Sequence, residues 1–323
     1  MRLLIGLACL IALAAPCAAA PRHVIVIVME NKDGDMTRGD ASSYVYGNTA
    51  QAPYINGELW AKAARAANFV DNSDLRRSQP HYIEMVAGRA TFSDADFICD
   101  AEPLGHCKSS TKPQNWTASH AHLMAQLDAA RDPALTWMTY QEGYDPKKSG
   151  ACPIRNGGNY GTKHNPFVYF ADVSGAPPSP DNEYCAAHTR ALDHFAGDMK
   201  SNDLANYVFI TPDSCHNMHG GSRCRDNKIA TGDDFLKNFL PPLLSWAEEN
   251  EAIVFVTWDE GSRGKSLPFF AAGAGVRAGH ESTFEYTHAS VLRTVERIFG
   301  LPLLDAVKGS TDLADMFEPG VLP

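Results

Sequence analysis

The amino-acid sequence predicts an α/β fold, with a mainly parallel central sheet and helices on both of its faces. Two observations carry that expectation. Short, continuously apolar runs alternate along the chain with helical periodicities, the order that produces a parallel sheet covered on both sides. Three of those runs also end near polar side chains: Glu30-Asn31 after "HVIVIVM", Asp213 after "YVFITP", and Asp259-Glu260 after "AIVFVTW". Ligands of open parallel sheets bind outside the carboxyl ends of the strands. The expected site therefore lies where these ends meet.

Residues 1–20 read as a secretory signal peptide: Arg2 is basic, residues 3–15 are apolar, and Ala18 to Ala20 are small. The apolar run falls short of the ~20 residues a membrane span needs. An exported protein, periplasmic or secreted, is expected, with a mature chain starting near Pro21. Residues 21–323 contain no repeat or low-complexity divider and are read as a single domain. Strands are expected at 24–28, 134–140, 207–210 and 252–258, and a weaker one at 267–272, where Pro268 interrupts. Helices are expected at 55–68, 119–132, 231–250 and 287–300. The last carries Ala289, Leu292, Val295, Ile298 and Phe299 on one face, with Gly300 as its stop. Residues 141–163 and 174–183 read as long surface loops, of the kind that form binding walls.

Charge and cysteines narrow the function classes. The chain carries 38 acidic against 28 basic residues, which argues against nucleic acid as its main partner. No apolar run of membrane length follows the signal, and no broad basic patch points to an anionic membrane. Six cysteines remain after the signal, an even number that in an exported chain reads as disulfides. The close pairs Cys99/Cys107 and Cys215/Cys224 invite local bridges, leaving Cys152 with Cys185. The rival reading is a metal cluster of Cys215, His216, His219 and Cys224. The oxidising compartment favours disulfides.

Glu30, Asp259 and Glu260 brought together without a cation would repel one another, and some would have to take up protons. A divalent metal removes that conflict, and oxygen donors suit Mg²⁺, Ca²⁺ or Mn²⁺. Asp213 alone is explained equally well as a cap of the following turn. In "RRSQPHYIEMVAGRA", Ser78 precedes a helical pattern running to Gly88, where free backbone N–H groups and the helix dipole favour a phosphate. Arg76 and Arg77 add positive charge. The plainer reading of Ser78 is an N-cap. Among twelve histidines, His164, His219 and His288 stand in suggestive places, with His216 and His81 behind them. Each suits a phosphate oxygen or a leaving group, and each singly is explained as a structural histidine. No G-x-S-x-G, Walker A, Rossmann fingerprint or HExxH occurs.

Taken in order, "VIVIVMEN", "SQPHYIEMVAG", "KHNPFVYF", "FITPDSCHNMH", "VFVTWDEG" and "THASVLRTVERIFGLP" resemble the phosphoesterase family of acid phosphatases and phospholipases C, within the alkaline-phosphatase-like superfamily. The resemblance covers nearly the whole mature chain. It implies an alkaline-phosphatase-like fold and a metal held by Glu30, Asn31, Asp259 and Glu260. It further implies Ser78 as a nucleophile that forms phosphoserine, with His164, His219 and His288 around the phosphate or protonating the leaving oxygen. His81 stands where family members often have Asn, and "TPDSCHNMHG" departs from their "TPNLCNDMHD" at Asp213 and His216.

The expected function is a metal-dependent acid phosphatase acting on phosphate monoesters of small molecules or lipid headgroups, phosphoinositides included. The alternatives are a phospholipase C-like phosphodiesterase and a non-catalytic binding protein of the same fold. The short tail after "GLPLLD" favours the monoesterase, since longer family members with phospholipase activity carry further domains there.

Overall fold

The computed structural model describes residues 21–35, 43–131, 133–224, 227–262 and 266–322. The signal-peptide expectation, on residues 1–20, lies outside them. At the centre is a sheet whose middle strand is β1 (His23–Met29), flanked by β6 (Tyr207–Thr211) and β7 (Ala252–Trp258). Beyond β6 come β4 (Trp137–Gln141) and β5 (Thr189–Ala191). Beyond β7 come β9 (Phe269–Gly273), β2 (Ala64–Ala66) and β10 (Glu281–Ser282). The five strands from β7 to β5 are all parallel, and only β9 runs against its neighbours. A separate two-stranded ribbon pairs β3 (Phe69–Val70) with β8 (Ser266–Leu267).

β1 shows why the fold forms. Its side chains alternate between the two sheet faces. Val24, Val26 and Val28 enter one core, with Tyr82 and Val86 of α1 (Ser78–Ala87), Leu127 of α2 (Leu123–Ala129) and Leu292 and Val295 of α4 (His288–Ile298). Ile25, Ile27 and Met29 enter the other, with Leu59 and with Leu236, Leu240 and Leu243 of α3 (Lys228–Glu249). A strand covered on both faces has no use for polar alternation, hence the unbroken apolar run. Each fully buried aliphatic side chain contributes about 2 kcal/mol to that burial.

Several sequence expectations need correcting. The helix read over 55–68 ends at Lys62, and Ala64–Ala66 forms β2 instead. Extended Ala63 (φ −119°, ψ 158°) breaks the helix, and pairing with β9 and β10 outweighs alanine's helical preference. The strand read from 134 begins at Trp137. The helix read from 119 begins at Leu123, where His122 Nδ1 caps it by accepting from Ala125 N. The last apolar run divides at Pro268 into β8 and β9. Within the stretch read as loop over 141–163 are short helices at Pro146–Ser149 and Thr162–His164.

All three invited disulfides form: Cys99–Cys107, Cys152–Cys185 and Cys215–Cys224. The rival thiolate cluster falls, because Cys215 and Cys224 are spent on each other. No helix among the described residues is long and apolar enough to cross a membrane.

Candidate active site

β1 and β7 end in register, Met29 opposite Trp258, and Asp259 N donates to Met29 O at 3.0 Å. That pairing brings Glu30-Asn31 and Asp259-Glu260 together at the carboxyl edge of the sheet. Asn31 N donates to Asp259 Oδ1 at 3.0 Å, and the Asn31 side chain hydrogen-bonds Glu260. Asn31 Oδ1 and Asp259 Oδ2 are then left buried with no protein partner. An orphaned buried oxygen costs ~1–3 kcal/mol, so two on adjacent strand ends call for a ligand.

Ser78 is the first residue of α1, not its cap. Arg77 occupies the cap position in extended conformation without a side-chain cap bond. The helix stops at left-handed Gly88 (φ 68°), whose N–H returns to Glu84 O. The freed Ser78 hydroxyl donates to Glu30 Oε2 at 3.1 Å, and Lys163 Nζ donates to Ser78 Oγ at 3.2 Å. Tyr82 OH donates to the other Glu30 oxygen at 2.8 Å, and His164 Nε2 lies 2.9 Å from it. Asp100 braces the arrangement by accepting from Lys163 Nζ at 3.1 Å and from Gln79 N at 3.1 Å.

The acids respond unequally to their shared burial. For Glu30, burial favours the neutral form, but the charges of His164, Lys163 and His219 and the His164 hydrogen bond outweigh it. Its carboxyl is held far below the usual range. Asp259 is pushed well above the usual range by burial, then by the negative charge of Glu30 and Glu260. Glu260 is pushed up too, chiefly by burial. This is the electrostatic conflict that a cation relieves. Glu30, Asp259 and Glu260 do not bring one ligand atom each within 4.8 Å of one another; what fits a hard divalent ion is the oxygen chemistry of these side chains and the orphaned atoms of Asn31 and Asp259.

The other expected residues fall in three places. His288 Nε2 donates to Asp259 O at 2.7 Å, leaving Nδ1 buried and unpartnered. Burial, and then the His81 charge, push its pKa down to about 4. His219 sits exposed at the rim, its Nδ1 tied to Gly220 O at 2.8 Å. Asp213 and His216 group instead with Glu142, beyond the ends of β4 and β6. His216 Nδ1 lies 2.8 Å from Glu142 Oε1, and Asp213 Oδ1 accepts from Cys215 N and His216 N. Asp213 thus caps a turn. Within this trio, and separately within His120, His122 and Asp172, potential ligand atoms lie within 4.8 Å of one another. In both trios the histidines are already hydrogen-bonded to the carboxylates.

The family model described as "Phosphoesterase family" matches residues 70–302. The chain belongs to the phosphoesterase family. With that membership comes the enzyme class, a hydrolase acting on phosphoric ester bonds. A phosphatidylinositol-3-phosphatase of Mycobacterium tuberculosis is 28% identical over 95% of this chain and 86% of its own length. A phosphate-repressible acid phosphatase of Penicillium chrysogenum is 28% identical over 53% of this chain, which spans only 40% of that protein. In structure, a Vibrio parahaemolyticus protein of the alkaline phosphatase superfamily matches with TM-score 0.54 and 11% identity, covering 91% of this chain and 70% of that one. That likeness is one of fold, and it agrees with the alkaline-phosphatase-like architecture expected above.

Sequence reasoning about this phosphoesterase missed Lys163, Tyr82, Asp100 and Asp71. Lys163 was within reach, being the first residue of "KHNPF", and Tyr82 stands one helical turn beyond Ser78. Asp71 offered no signal. It binds His81, which is fully buried, at 3.1 Å, while His81 Nδ1 donates to Arg77 O at 2.7 Å. Burial would lower the His81 pKa, but Asp71 overrides it and raises the value to about 9. Asp71 is correspondingly held below the usual carboxylate range, burial being outweighed by His81. The His81 contribution is complete below its unfolded value near 6.5 and fades as pH rises through about 9. It is roughly 3 kcal/mol. The Asp71 contribution is present at neutral pH and fades in acid. Urea midpoints are therefore expected to fall between pH 6.5 and 9 in the wild type, and Asp71→Asn should flatten that slope. A slope unchanged in Asp71→Asn would remove the ion pair from the stability account.

Proposed function

We propose that this phosphoesterase is an exported, metal-dependent phosphatase that hydrolyses phosphate monoesters, phosphoinositides among them, through a phosphoserine at Ser78. The observation that carries the reading is the Ser78 hydroxyl, held between an ionised Glu30 and the Lys163 ammonium at the first turn of α1. A structural serine has no need of that company. The three disulfides support export. The mycobacterial relative, matched over most of its length, supports a lipid-headgroup monoester as one substrate.

Glu30, Asn31, Asp259 and Glu260 would hold the cation, which when bound supplies charge neutralisation at the phosphoryl oxygens and makes the serine alkoxide accessible. The chain's own residues do the rest. Glu30 Oε2 accepts the Ser78 hydroxyl proton in a hydrogen bond, which fixes Oγ between Glu30 and Lys163. Lys163 and the first-turn dipole of α1 favour negative charge on Oγ and on the entering phosphoryl group. Tyr82 and His164 lock the Glu30 carboxylate from behind. His288 holds the Asp259 backbone through its carbonyl. His219, exposed at the rim with Nδ1 engaged, presents Nε2 to the leaving oxygen and is the proposed proton donor.

Two linked measurements test this. Acid-quenching turnover of a phosphate-labelled monoester should trap label on the peptide containing Ser78. Treatment with EDTA should remove nearly all activity, Mg²⁺, Ca²⁺ or Mn²⁺ should restore it, and the added ion should raise Tm. Full activity after exhaustive chelation would sink the metal reading, and label on another residue would sink the nucleophile.

A further inference from the structure

Asn31 has two sides. Its side chain belongs to the acid set at the strand ends, whereas its carbonyl oxygen accepts from Lys32 Nζ at 2.9 Å and from Ser262 Oγ. Those two donors line a cavity of about 550 Å³ outside that set. The opposite wall is the start of α3, with Asn227, Lys228 and Ile229. Three sources of positive potential face this space. Lys32 is 6% exposed, its ammonium spending one donor on Asn31. Lys228 is exposed at the mouth. At the positive end of the 22-residue α3 dipole, the Asn227 side chain caps Ala230 N at 3.1 Å, and the amides of Lys228 and Ile229 are left without an intrahelical acceptor. No carboxylate is among the described residues that line the cavity.

The other flank of the cavity leads towards the proposed proton donor, His219. A Cβ at Gly220 (φ 78°) would meet Lys228 Cε at 2.5 Å and Cδ at 2.7 Å. The Lys228 stem thus packs directly over the Gly220 backbone. Gly220 is also the residue whose carbonyl holds His219 Nδ1. One wall is therefore continuous with the candidate metal ligand Asn31 and the other with the proposed proton donor.

We propose that this cavity receives a second anionic group of the substrate, so that the preferred substrates are phosphomonoesters bearing another phosphate on the same scaffold. The inference rests on the Ser78 reading, which places the scissile phosphate beside Asn31. The second phosphate has two possible sources: a free phosphate on a soluble molecule or the phosphodiester of a lipid headgroup.

The test uses the full-length enzyme and compares kcat/KM for inositol 3-phosphate, inositol 1,3-bisphosphate and monomeric short-chain phosphatidylinositol 3-phosphate. Loss of one charge-assisted contact corresponds to about a tenfold effect. The wild type should prefer at least one of the two-phosphate substrates by roughly that factor. In Lys228→Met and, separately, Lys32→Met, the preference should collapse towards unity. Preference in the soluble arm identifies the phosphate itself as the recognised group, and preference in the lipid arm alone identifies the diester. Either result supports the cavity. No preference in the wild type, or a preference that survives both substitutions, overturns it. The Ser78 reading fails separately, by retained activity in Ser78→Ala, so the two failures cannot be confused.

Discussion

Ser78→Ala is expected to lower kcat on p-nitrophenyl phosphate by ~10⁴-fold or more, while changing stability by no more than about 1 kcal/mol. The asymmetry follows from the partners. Ser78 Oγ makes two hydrogen bonds, to Glu30 and from Lys163. Remove it, and Glu30 still accepts from Tyr82 and faces His164, while Lys163 still reaches Asp100. No buried charge is orphaned, so the large penalty for an unpaired buried group does not arise. On the proposed mechanism, chemistry by contrast loses the atom that would attack phosphorus. A serine with only a structural role would differ in the first quantity, with activity mostly kept. Steady-state kinetics and urea denaturation on the same preparation separate the two. An active Ser78→Ala protein would leave Ser78 a structural role only.

The parts of this molecule legible in its sequence are those where one local property reports a global position. β1 and β7 are covered on both faces, so their burial is written as uninterrupted apolar runs, and the acids that end them stand out. β2 is illegible for the converse reason. Ala64, Arg65 and Ala66 continue a helix-favouring stretch, and only the partners β9 and β10, more than 200 residues away, make them a strand. β5, three residues at the sheet edge, carries no period to read. The site divides in the same way. Glu30, Asn31, Asp259 and Glu260 are strand ends and Ser78 is a helix start, positions that sequence patterns mark. Asp71 and Asp100 lie in polar stretches where an acid is unremarkable, and their importance comes from His81 and Lys163 arriving from elsewhere. Histidines are the hardest to assign. His164, His219 and His288 look alike in sequence, yet one is clamped on Glu30, one is exposed at the rim and one is buried with a depressed pKa.

Lys163→Met is expected to lower kcat by ~10²–10³-fold, the range seen when one donor to a developing negative charge is deleted. Burial alone would depress its pKa, but the charges of Glu30 and Asp100 raise it, so the ammonium is kept charged beside Ser78. A cation 3.2 Å from Oγ favours the alkoxide over the alcohol and stays close to the phosphoryl oxygens as they gain charge. Its contribution is larger in the transition state than in the bound substrate, so kcat should fall much more than KM rises. Lys163→Arg, which keeps the charge but changes its shape, should recover part of the loss. Asp100→Asn should cost less than Lys163→Met, because Asp100 acts only by aiming the ammonium. If Lys163 merely pins its loop, the pattern changes: Lys163→Met and Asp100→Asn would lower Tm together and leave kcat within a few-fold of wild type. Reading kcat, KM and Tm across the three variants therefore decides whether this lysine works on the reacting oxygen or only on the chain that carries His164.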